Sequence, residues 1–257
     1  MSLSASPAVE LDATGLHYQE LNARLATLAA AGSRRLVVRN VLGQRFIGTG
    51  LPGEVELELH GTPGEDLGAF LDGPTLRVFG NAQNAAGNTM SSGLIIIHGA
   101  AGDIVGHSMR GGQIWVQGSA GYRVGIHMKA CPNGGPAVIV GGSAGDFLGE
   151  YMAGGVLIVL GLANGDNGRL VGNWLGTGMH GGAIYVRGEF PGYRIGRGAG
   201  QAPCDDGDRA LLRAYLGPYC AEFGLDLEQV LASPFTKLAP LTARPYGRLY
   251  AGSVGEL

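Results

Sequence analysis

Apolar positions along most of this chain recur in fixed columns. One holds Leu57, Leu76, Ile95, Ile114, Val138, Leu157 and Ile184, and a second, two residues later, holds Leu59, Val78, Ile97, Val116, Val140, Val159 and Val186. The residues between and around them include Arg77, Gln113, Gln117, Tyr185 and Arg187, an alternation that predicts short strands with one face buried. A third column, Leu71, Met90, Met109, Met128, Met152 and Met179, takes every methionine except Met1.

Glycines set the interval between these columns. Gly61, Gly80, Gly99 and Gly118 stand nineteen residues apart, and Gly68, Gly87, Gly106, Gly125 and Gly149 each fall seven residues into a unit. Self-similarity at a period of about twenty residues indicates stacked coils, none of which buries its apolar face alone. The expected fold is all-β: a right-handed parallel β-helix of about seven coils of ~19 residues, with short α-helical flanks. Glycine pairs at Gly111–Gly112, Gly154–Gly155 and Gly181–Gly182 read as corners immediately before strands. Insertions at Lys129–Gly135 and Leu162–Gly172 read as loops leaving the coil.

Outside the repeat the pattern changes, giving an N-terminal helix–strand cap over 1–41, the β-helix over 42–200, and C-terminal helices with an extended tail over 201–257. Leu21, Leu25 and Leu28 share one helical face, stopped near Gly32, and Leu36–Val41 reads as a strand. Asp208 is placed to cap a helix running through Leu216 and ending at Gly217-Pro218, with a second short helix over Asp226–Leu231. The tail reads as an arm lying on this β-helix or on a partner.

Composition narrows the function classes. Glycine supplies 48 of 257 residues while 45% of the chain is hydrophobic, so the glycines belong to a packed structure and not to a linker. A net charge of −3 argues against nucleic-acid or membrane-surface binding, and no apolar run is long enough to span a bilayer. Cys131, Cys204 and Cys220 form no C-x-x-C pair, which fits the cytoplasm and gives this chain no cluster site of its own.

Candidate chemistry is sparse. Gly141-Gly142-Ser143-Ala144-Gly145 matches the G-x-S-x-G nucleophile elbow, which needs the serine on a strained turn between strand and helix. Ser143 shares its register with Ser119 and Ala100 and no helical pattern follows, so it reads as a turn residue, with an esterase using Ser143 as a remote alternative. His98, His107, His127 and His180 form no H-x-x-x-H or H-x-E pair, and no metal site is expected. Asp103 and Asp146 share one register and read as acceptors for turn amides. The loop GLANGDNGRLVGNWLG is the one long excursion, which makes Arg169 and Trp174 candidates for partner contact; Arg244 and Tyr246 are the tail's candidates.

The segments GYRVGIHM, GGSAGDFLGEYMAGGVLIVLG and VGNWLGTGMHGG resemble the GXGXG domain, the β-helix of the glutamate synthase large (α) subunit. The resemblance covers roughly residues 40–200; the flanks LHYQELNARL and KLAPLTARPYGRLY resemble its stand-alone subunit form. Related β-helices occur in formylmethanofuran dehydrogenase and N-methylglutamate synthase, so the alternative that the resemblance implies is a scaffold subunit of N-methylglutamate synthase or of a formylmethanofuran dehydrogenase/formyltransferase complex. What the resemblance implies is a non-catalytic scaffold, binding no cofactor itself, packed between a glutaminase and a synthase subunit carrying FMN and an iron–sulfur cluster. Such an assembly transfers ammonia from glutamine to 2-oxoglutarate. Alone, the chain is expected to self-associate through exposed strand edges.

Overall fold

The computed structural model describes residues 7–131, 135–162 and 168–242. Strands β1 (Val9–Asp12), β2 (Arg35–Leu42), β3 (Glu56–Thr62), β4 (Thr75–Phe79), β5 (Leu94–Ile97), β6 (Gln113–Val116), β7 (Ala137–Val140), β8 (Ala153–Val159) and β9 (Gly181–Arg187) stack in chain order as one parallel sheet. The register follows the two apolar columns: Leu57 pairs with Leu76, Ile95 with Ile114, Val138 with Leu157 and Leu157 with Ile184. From β3 to β9 the chain completes six turns, and a seventh coil is reached only by including the turn from β2. A second parallel ladder, Ala82–Ala101–Ala120–Ala144–Val171, closes the opposite part of each coil through single bridges. The interior holds both strand columns and the methionine column, with Met90, Met109, Met128, Met152 and Met179 fully buried. Stability is therefore cumulative along the axis, each rung covering its neighbours.

Both ends of the stack are closed. Helix α1 (Tyr18–Ala30) buries Leu21, Leu25 and Ala29 in the same interior as Leu36, Val38 and Ile47. The buried Gln44 amide fixes its approach by donating to the carbonyls of Ala13 (3.1 Å) and Leu16 (3.2 Å). At the other end, β11 (Phe235–Pro240) runs antiparallel to β9, and β10 (Ala199–Ala202) pairs antiparallel with β11. Leu238 and Ala199 plug the final coil. The first part of the tail is thus a strand; residues from 243 onward, including Arg244 and Tyr246, lie outside the described residues.

Three local expectations are corrected. The C-terminal helix α2 spans Asp206–Phe223, capped by Asp205 in a reciprocal box with Asp208, and it passes through Pro218 to end at Gly224. Proline removes the N–H that would bond the Ala214 carbonyl, but the burial of Leu216, Tyr219 and Cys220 beyond and around it favours continuation. Those residues explain the second correction. The middle strands are buried on both faces, because outward Ile96, Trp115, Ile139, Ile158 and Tyr185 pack under α2 and the short α3 (Leu227–Leu231). Gly141 permits this close approach: a Cβ there would lie 2.4 Å from the Tyr219 hydroxyl, which donates to the Val116 carbonyl (3.1 Å). Third, Gly154–Gly155 and Gly181–Gly182 lie inside β8 and β9 and form a bulge at Ala153–Val156, where Val156 regains register against Ala183.

One buried ion pair fastens the C-terminal cover. Asp208, 7% exposed, accepts the Tyr185 hydroxyl at 2.6 Å and the Lys237 ammonium at 2.8 and 2.9 Å, and its second oxygen takes the Asp205 amide. Burial pushes this carboxyl upward, but Lys237 and Tyr185 outweigh it and hold the group down at about 2.

Candidate interaction surface

Each coil turns a corner through three left-handed residues spaced two apart, with a buried residue between the first and the second. In one coil these are Arg123 (φ 56°), Gly125 (72°) and His127 (57°); in the next, Phe147 (62°), Gly149 (70°) and Tyr151 (51°). The intervening Val124 and Leu148 point into the core. The central position is glycine because a Cβ would strike the core, 2.3 Å from Ile114 Cδ1 at Gly87 and 2.6 Å from Ile184 Cδ1 at Gly149. The flanking positions accept side chains, and each donates its amide to the next rung, Ile104 to the Tyr122 carbonyl at 2.7 Å and His127 to that of Glu150 at 3.0 Å. The corner therefore presents parallel columns of outward side chains.

Those columns change character along the axis. Phe46, Asp66 and Phe70 occupy them in the first coils, Ala85, Thr89, Ile104 and Ser108 in the middle ones, and toward the C-terminus they become aromatic and charged. Phe147 stacks on Trp174 (centroids 4.9 Å, 17°), and the Arg123 guanidinium covers Phe147 at 4.8 Å while binding Glu150 at 2.8 Å. His127 stacks on Tyr151 (5.3 Å, 10°) and meets His107 edge-on at 6.2 Å. Burial shifts the His127 ring below its ordinary value, and Lys129 and His107 push it further down. A non-glycine residue in this conformation costs about 1–2 kcal/mol, offset in part by stacking of about 0.5–1.5 kcal/mol.

The sequence candidates fall close together. Ser143, Asp146 and Arg169 line one cleft of 540 Å³ with Tyr122 and Val171, and Trp174, 51% exposed, sits beside it. Arg169 reaches Asp146 at 3.5 Å and the Val171 carbonyl at 3.1 Å. Ser143 lies at the rung position: its amide donates to Ser119 Oγ (3.1 Å), the two hydroxyls are 3.1 Å apart, and Ala144 then bridges Ala120 and Val171. The segment after Ser143 is a rung and then β8, where a nucleophile elbow has a helix. Asp103 and Asp146 accept the amides of Tyr122 (2.8 Å) and Asn173 (2.7 Å), the same rung-to-rung bond by which Asn84 Oδ1 accepts the Asp103 amide. Among the described residues, no three His, Cys, Asp or Glu side chains converge in a metal-binding group, and no helix is long and apolar enough to cross a membrane. Sequence reasoning missed the Arg123–Phe147–Trp174 stack; its signal was the shared register two residues before each central glycine.

The chain matches the GXGXG motif family over residues 27–236. It is 44% identical over 250 residues, 94% of this chain and 96% of the other, to an uncharacterized protein (MJ1350) of Methanocaldococcus jannaschii. Its fold is similar to that of a chain in the formyltransferase/hydrolase complex FhcABCD of Methylorubrum extorquens, solved with methylofuran. There the TM-score is 0.61 at 19% identity, covering 89% of this chain and 93% of that one.

Proposed function

This chain belongs to the GXGXG motif family, and from that premise we propose that it is a non-catalytic structural subunit of a glutamate-synthase-type complex. In this reading it packs between a glutaminase subunit and a synthase subunit that carries FMN and an iron–sulfur cluster, and itself binds no cofactor. The observation that carries the reading is how the coil uses its residues. Apolar columns fill the interior, and the turn residues Asn84, Asp103, Ser119 and Asp146 bond the amides of adjacent rungs. The side chains left over are the outward columns of the corner, which suit docking better than bond-making.

A second reading keeps the scaffold and changes the chemistry of its partners to formyl transfer. It is favoured by the likeness to the Methylorubrum extorquens chain, which extends over nearly the whole of both chains. Purification of the tagged chain from its native host, with mass spectrometry of what accompanies it, decides between them. A glutaminase and a flavoprotein are expected under the first reading; formyl-transfer subunits overturn it in favour of the second. An ester-hydrolysing preparation whose rate falls in Ser143→Ala but not in Ser119→Ala overturns both.

A further inference from the structure

The corner columns carry a charge pattern that the coil does not require. Arg110 and Lys129 occupy one register on adjacent rungs, shown by their parallel amide bonds to the Met90 and Met109 carbonyls (both 2.8 Å). Ala153 takes this register on the next rung, its amide bonded to the Met128 carbonyl, and His180 occupies it on the rung after, bonded to the Met152 carbonyl. Beside them run His107, His127 and Tyr151, linked by ring contacts. In the two rungs before, the corresponding positions are Ala69, Phe70 and Asp72, then Asn88, Thr89 and Ser91. The repeat is its own control, because the same backbone is built there without cations. The carboxylate in this neighbourhood, Glu150, is held by Arg123 at 2.8 Å.

We propose that the corner patch formed by His107, Arg110, His127, Lys129, Tyr151 and His180 is the docking surface for an acidic segment of a partner subunit. The proposal rests on the scaffold reading above. Charge complementarity selects the occupant. The patch gathers Arg110, one of the chain's two lysines and three of its six histidines; its formal charge comes from Arg110 and Lys129, set in a molecule whose net charge, with histidine neutral, is −3. A second copy would bring the same cationic patch to a symmetric contact, and the net negative charge disfavours a nucleic acid. Tyr151, 37% exposed and stacked on His127, gives the patch a rigid apolar element of the kind found at interface centres.

The test uses the full chain and the subunits that copurify with it, with affinity measured over a range of salt. The Arg110→Glu/Lys129→Glu variant is expected to bind at least about tenfold more weakly, with a flatter salt dependence, while Arg110→Lys/Lys129→Arg binds as wild type does. An unchanged melting curve in the charge-reversal variant excludes unfolding as the cause. Equal binding by wild type and charge reversal overturns this site and leaves the scaffold reading standing. If the wild-type chain forms no complex, the scaffold reading fails and the site falls with it. Loss confined to an RNA oligonucleotide, with subunit binding intact, also overturns the assignment.

Discussion

At Gly125 two separate requirements meet. Its φ is +72°, and an added Cβ would lie 2.6 Å from Leu157 Cδ2 and 2.9 Å from Met128 Sδ. Gly50 has the same φ, +72°, with nothing within 4 Å. The pair separates backbone strain from packing. Gly50→Ala is expected to lose about 1 kcal/mol, the strain alone. Gly125→Ala is expected to lose about 2–4 kcal/mol, because a core residue must also move. Urea unfolding of the two variants checks this, and equal losses would show that the centre of the corner is glycine for its backbone only. The same logic explains why aromatic residues are tolerated two positions away, at Phe147 and Tyr151, where the side chain leaves the core.

Helix α2 is held to the sheet by three kinds of contact. Apolar packing under Leu212, Leu216 and Tyr219 covers its middle; Asp208, bound by Lys237 and Tyr185, fixes its start; Glu222 fixes its end, meeting Arg77 at 3.3 Å. Removing one partner of a buried pair leaves the other charge stranded, so Lys237→Met is expected to destabilise the chain by about 2–4 kcal/mol. The Asp208 carboxyl sits at about 2 in the folded chain and near ~3.9 when unfolded. Because the folded value is depressed, its contribution is complete above the unfolded value and is lost as pH falls from about 4 towards about 2. Asp208→Asn should flatten the stability profile in that acid window; an unchanged profile would mean that other carboxylates set the acid limit. Pro218 gives the opposite sign. Pro218→Ala restores a helix N–H for the Ala214 carbonyl and is expected to stabilise the chain by about 1 kcal/mol or more, read as a higher urea midpoint. The strand columns, the methionine ladder and α1 were legible in the sequence because a fixed period repeats the same burial requirement many times. The cover was not, since Ile96, Trp115, Ile139 and Ile158 are outward in a pattern that alternation assigns to solvent. Nor does a propensity rule reveal that packing would carry α2 through Pro218. The corner cleft was half legible: Arg169 and Trp174 stand out by loop composition, whereas Phe147 and Arg123 join them only through register.

A solenoid has two ends, and in this molecule both are occupied by elements that interrupt the repeat. The self-association expected from exposed strand edges therefore depends on whether those covers stay in place. At the N-terminal end, α1 supplies Leu21, Leu25 and Ala29 to the interior and β1 pairs with β2, so removing both exposes Leu36, Val38 and Ile47 together with the free edge of β2. An apolar end carrying unpaired backbone groups pairs with whatever strand it meets, including the same end of a second copy. Deleting residues 1–31 is accordingly expected to convert the chain into concentration-dependent assemblies and to lower its unfolding midpoint. Light scattering after size exclusion, compared across a dilution series with the full chain, reads both consequences. A truncated chain that matches the full-length one in size and stability would show that the first coil closes without α1. Because each rung is stabilised mainly by its neighbours, the loss should be greatest next to the missing cap and fade along the axis. Hydrogen exchange gives that gradient directly: faster exchange at Val38 and Leu59 than in the full chain, with little change at Val140 and Val159.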